Sequence, residues 1–75
     1  MANVVELKSG ENPPETPFCM VQVETARKET LHGFYTFGSV RHTPDDPEEI
    51  EREIRHAQCE ADELGRPNVY VRRQG

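Results

Sequence analysis

His56 and Cys59 stand three residues apart, a spacing that on a helix lets an imidazole and a thiolate reach one metal ion. Two ligands do not close a tetrahedral site. His32, His42 or Cys19 would have to complete it, and Cys19 lies on a separate stretch expected to point into the core. As a nucleophile, Cys59 has Arg55 one turn before it and His56 close by, but Asp62 and Glu63 follow and oppose thiolate formation. The acids crowding residues 43–63 read as a solvated helix face rather than as paired catalytic carboxylates. The chain has no phosphate-binding loop, dinucleotide fingerprint or serine-centred elbow. These residue types argue against an enzyme, and no cofactor or metal is expected. The alternative is a small metal- or thiol-dependent protein using His56 and Cys59, although a solvated histidine beside an incidental cysteine accounts for the same pair.

The chain that must position these groups has 75 residues, 31% of them charged, and a net charge of -5. That length supports one domain, because a core divided between two units could not offset chain entropy in either. No stretch nears the roughly 20 apolar residues of a membrane span, and Met1 to Glu6 lacks the regions of a signal peptide, so a cytosolic protein is expected. Cys19 and Cys59 form no paired-cysteine metal pattern or disulfide framework and should be free thiols. The charge is unevenly spread: residues 43–63 hold nine acids against Arg52 and Arg55, whereas residues 64–75 hold Arg66, Arg72 and Arg73 with no acid. The acidic field makes direct nucleic-acid binding unfavourable, the alternative being contact through the basic C-terminal strand with Arg66, Arg72, Arg73 and Tyr70.

Ile50, Ile54, Ala57, Ala61 and Leu64 fall in one stripe of an α-helix between Asp46 and Gly65. Asp46 is the expected N-cap, Pro47 the first helical residue, Glu49 the reciprocal half of a capping box and Gly65 the left-handed stop. Glu48 with Arg52 and Glu51 with Arg55 should pair along the outer surface. Phe18 to Thr25 reads as a strand that begins apolar on both sides, with Cys19, Val21 and Val23 on one and Phe18, Met20 and Gln22 on the other. Residues 26–30 would be the tip of an antiparallel hairpin and Leu31 to Val40 the returning strand, with Gly33 or Gly38 marking a bulge or bend. Asn68 to Arg72 is a final short strand. The expected fold is α+β: a ββαβ domain over residues 18–75 with the helix packed on the sheet, preceded by an N-terminal strand or arm and a Pro-rich loop over 1–17.

Within that helix Cys59 lies opposite Ile50, flanked by Glu48, Arg52, Arg55 and Glu63, with Asp62 following it. A thiol, two arginines and concentrated acids on a face that folding does not bury make these six residues the expected partner-binding surface. The sheet face around Tyr35 and Tyr70 is the second candidate. Together with Gly65-Arg66-Pro67-Asn68-Val69-Tyr70-Val71, the hairpin and capped helix resemble in layout the small phage-encoded inhibitors of host proteins, including some type I anti-CRISPR proteins. The resemblance spans about residues 18–72 and implies action by occupying a surface of a host protein or complex, without catalysis. A non-enzymatic protein–protein interaction module is therefore expected, with a host protein as partner, a homodimer possible and no membrane contact.

Overall fold

A computed structural model describes residues 1–74. It has one helix and five strands in a single sheet, an α+β domain: β1 (Asn3–Leu7), β2 (Phe18–Glu24), β3 (Leu31–Tyr35), β4 (Gly38–Pro44), α1 (Pro47–Glu63) and β5 (Asn68–Gln74). Among the described residues no helix is long and apolar enough to cross a membrane.

The helix begins where the sequence places it. Asp46 Oδ1 accepts from the N–H groups of Glu48 at 2.9 Å and Glu49 at 3.5 Å, satisfying two donors that no helical carbonyl can reach. The capping box does not close: the Glu49 carboxylate accepts instead from Thr30 Oγ1 at 3.2 Å and Arg52 Nη1 at 2.9 Å. Arg52 thereby pairs with Glu49 rather than Glu48, while Arg55 keeps its expected partner Glu51. At the other end Gly65 has φ +71°, and the Gly65 and Arg66 N–H groups donate to Asp62 O and Ala61 O at 3.2 and 2.8 Å. This Schellman turn starts before the apolar stripe reaches Leu64, which is left 56% exposed. Glu53 takes up buried surface instead.

Strand pairing differs from the expected hairpin. The strand order is β1-β5-β2-β4-β3, and β2 pairs in parallel with both β4 and β5. The stretch from Leu31 to Val40 turns back on itself at Thr36 and Phe37, so the antiparallel hairpin is β3 with β4, and β4 lies between β2 and β3. Gly38 is the cause. Its φ is +134°, and the site where a Cβ would stand lies 2.0 Å from Phe18 O, so only glycine lets β4 start this close to β2. The N-terminal strand does form, paired in parallel with β5.

The parallel strands joined directly by the chain, β1 to β2 across β5 and β4 to β5 across β2, need connections that pass over a sheet face, and this chain uses one on each side. The helix runs from β4 to β5 and covers one face: Cys19, Val21, Val23, Val69 and Val71 pack against Ile50, Ala57 and Ala61, with Ala2 and half-buried Ile54 at the margin. On the opposite face Met20, Val40 and Tyr70 form a second core, flanked by Val5, Leu7 and Phe18. The loop over residues 8–17 lies against this second face. Tyr70 hydroxyl donates to Glu15 Oε1, and Arg72 Nη1 donates to Glu11 O at 2.9 Å. Burial on both faces explains why β2 is apolar on both sides.

Candidate functional site

Two of the sequence's candidate surfaces are built differently from one another. The six residues on the outer helix face, Glu48, Arg52, Arg55, Cys59, Asp62 and Glu63, are all exposed. Arg52 and Arg55 are held by helical glutamates, and Asp62 Oδ1 lies 3.8 Å from the N-terminal amine of Met1. Glu48, Glu51, Arg52, Arg55 and His56 enclose a shallow depression of about 400 Å³. Cys59 is an exposed free thiol and Cys19 a buried one, as their positions in the two elements imply. The His56 imidazole turns toward Glu53, with Nδ1 3.8 Å from Oε2. Among the described residues no group of three or more His, Cys, Asp or Glu side chains is placed to hold a metal ion.

The basic C-terminal segment is engaged within the fold. Arg66 Nη1 reaches Phe18 O and Cys19 Sγ, both at 3.3 Å, Arg72 Nε donates to Gln22 Oε1 at 2.6 Å, and Arg73 lies 3.7 Å from Glu6. Tyr70 is 2% exposed, so it has no ring face to offer a base and is not part of an exposed sheet surface. Burial and the hydrogen bond to Glu15 raise its phenol above the ordinary value, while Glu15 is lowered by Tyr70 and then Asn68.

Tyr35 does belong to a surface, one assembled from the turn that sequence reasoning missed. Tyr35 and Phe37 stack with ring centroids 4.8 Å apart, and Phe37 lies 5.5 Å from Phe18. These rings form one wall of a groove of about 570 Å³ on the face of the sheet away from the helix. Phe18, Met20 and Val40 contribute its apolar lining, Asn12, Pro13 and Thr16 of the loop add another side, and His42 and Arg72 bring polar groups. A broader depression of about 790 Å³ involves residues 24–29 and Gln74, with charged Glu24, Arg27, Lys28 and Glu29 among its lining. The signal for the apolar groove was present in the alternation of β2, whose Phe18 and Met20 side needed a cover that one helix could not supply.

A polar seam also lies between the helix and β4. Glu53 is 4% exposed and meets Arg41 Nη1 at 3.1 Å; Arg41 Nη2 lies 4.0 Å from Glu60, whose carboxylate also accepts from Ser39 Oγ and Cys19 Sγ. His32 Nε2 sits 3.6 Å from Glu60. The seam sets one fixed cation, Arg41, between two carboxylates, and the fully buried Cys19 thiol offers no accessible nucleophile. Burial, reinforced by the Arg41 charge, holds the His32 imidazole below its ordinary 6.5 against the pull of Glu60 and Glu53. The folded protein binds fewer protons here than the unfolded chain, so this contribution is complete above 6.5 and is lost as pH falls through that value toward the folded-state one. Melting should therefore drop more between neutral and mildly acidic buffer in the native protein than in His32→Gln. Equal drops would remove His32 from the account.

No protein-family model matches the chain, and no match is found to a curated protein or a solved structure.

Proposed function

We propose that this chain is a non-enzymatic protein-interaction module whose groove between Tyr35, Phe37, Phe18 and the Pro13 loop receives apolar side chains protruding from a partner protein. The carrying observation is the stacked Tyr35–Phe37 pair standing half-exposed over an apolar lining of Met20, Val40 and Phe18. Exposed aromatics joined to a contiguous apolar surface mark an interaction site, whereas singly scattered exposed hydrophobics do not. The burial of Cys19 and the engagement of Glu53 and Glu60 with Arg41 favour binding over catalysis. Inhibition of a host complex, the role implied by the resemblance in layout, is the form this takes if the groove occupies that complex's working surface. A reducing cytosolic setting fits two free thiols.

The outer helix face is the second surface, favoured by the exposure of all six of its residues. Its acids and paired arginines suit steering of encounter rather than the bulk of affinity. The partner is first captured from host lysate with the native protein, identified and purified. Phe37→Lys is then compared with native protein for binding to it, after circular dichroism has confirmed the fold. Binding should fall at least tenfold. The double variant Arg52→Glu with Arg55→Glu should keep its fold and chiefly alter the on-rate and its salt dependence. A folded Phe37→Lys that binds at native strength while the double variant fails would move the site to the helix; native binding by both would refute each surface.

A further inference from the structure

The sheet ends on β3, and this edge lacks the devices that normally prevent strands from joining. Leu31, His32, Gly33, Phe34 and Tyr35 include no lysine, acid or proline, and every second residue of an edge strand turns its N–H and C=O away from its one neighbour. The opposite edge, β1, carries the exposed carboxylate of Glu6. On β3, Phe34 is 74% exposed, the largest exposure of any aromatic ring among the described residues, and Leu31 is also exposed.

We infer that a second copy of this chain covers the edge, through antiparallel β3–β3 pairing about a twofold axis at Gly33. Under that symmetry the strand is its own complement. Gly33 faces Gly33 of the second copy, Leu31 faces Tyr35, and His32 faces Phe34, so apolar and aromatic side chains meet on each face and no like charges are brought together. The Tyr35 ring already lies across its own Gly33, within 2.6–2.8 Å of where a Cβ would be, and covers the glycine at the axis.

Charge and area agree with this occupant. A twofold axis normal to the sheet places both helices on the same face. Each helix packs over β2, so they are separated by five strand spacings, roughly 24 Å at about 4.8 Å each. That is several times the Debye length of about 8 Å, so the acidic helices do not oppose association strongly. The exposed parts of the edge residues Leu31, Phe34 and Tyr35 amount to roughly 350 Å² per copy, below the standard interface and in the range of weak association. The dimer is therefore concentration-dependent, with a dissociation constant on the order of 10–100 µM. Its geometry puts the two open-face grooves on one side of a continuous sheet, but the inference stands on the edge and does not need the groove to bind anything.

Sedimentation velocity on the purified full chain in reducing buffer, from about 5 to about 500 µM, brackets that constant. The average mass should rise from 8.6 kDa toward twice that value, and dilution should shift amide resonances chiefly from Thr30 to Thr36. Phe34→Lys, with a native circular dichroism spectrum, should weaken association at least tenfold; Leu31→Lys serves if that variant does not fold. A native protein that stays monomeric throughout overturns the inference. So does a dimer with native affinity in the folded edge variant, resonance shifts centred elsewhere, or a dimer abolished by Cys59→Ser.

Discussion

Gly38→Ala should cost this protein most of its stability at room temperature. The added methyl group would sit 2.0 Å from the carbonyl oxygen of Phe18 and 2.6 Å from its nitrogen, both backbone atoms of the strand next door. A flexible side chain could swing aside from such a contact; β2, clamped between β4 and β5, cannot. The residue also has φ +134°, where alanine is strained before any contact is counted. The combined cost should reach at least about 3 kcal/mol, a large part of the roughly 5 kcal/mol available to a domain of this size. Gly33→Ala is the control, because the nearest atoms to its methyl group belong to the far end of the Tyr35 ring, which can rotate away. Chemical denaturation should show Gly38→Ala far below Gly33→Ala. Similar midpoints for the two would mean that β2 and β4 do not approach as closely as described.

Arg41→Ala should be nearly as damaging, for an electrostatic reason. Arg41 is the fixed positive charge of the seam, holding Glu53 at 3.1 Å and reaching toward Glu60 at 4.0 Å. Its removal leaves the Glu53 carboxylate buried without a guanidinium partner, the nearest remaining side chain being the more than half-exposed His56 imidazole at 3.8 Å. Breaking a buried pair from one side costs about 3–5 kcal/mol, mostly as the penalty of the stranded charge. The pair itself is worth far less, since forming it requires desolvating both groups. The double substitution Arg41→Met with Glu53→Leu should therefore recover most of the lost stability. Arg41 Nε, buried and without a hydrogen-bond partner among the described residues, is one more unmet polar group that this repacking removes. An Arg41→Ala protein that denatures at the native midpoint would show that water screens the seam.

Local chemistry made several elements legible. The α1 start, its glycine stop and its buried Ile50, Ala57 and Ala61 follow from capping groups and a 3.6-residue repeat, which act within a few residues of one another. The exposure of Cys59 and burial of Cys19 follow from the same periodicities. The buried Glu53 was not legible, because a glutamate in an acidic run reads as solvated until Arg41, twelve positions earlier, is known to lie against it. The groove was half legible: the apolar Phe18 and Met20 side of β2 required a cover, but its wall arose from a turn inside what read as one strand.

The α+β class, the helix and its ends, the apolar faces of β2 and the inward and outward placement of the two thiols could be read from the residues alone, since each depends on neighbours along the chain. The parallel pairing of β2 with β4 and β5, the covering of Tyr70 but not of Phe34, and the charged seam beneath the helix emerge from the folded arrangement. Strand partners are chosen by contacts between residues far apart in sequence. Here one backbone approach, Gly38 against Phe18, which no local propensity encodes, separates the observed sheet from the expected hairpin.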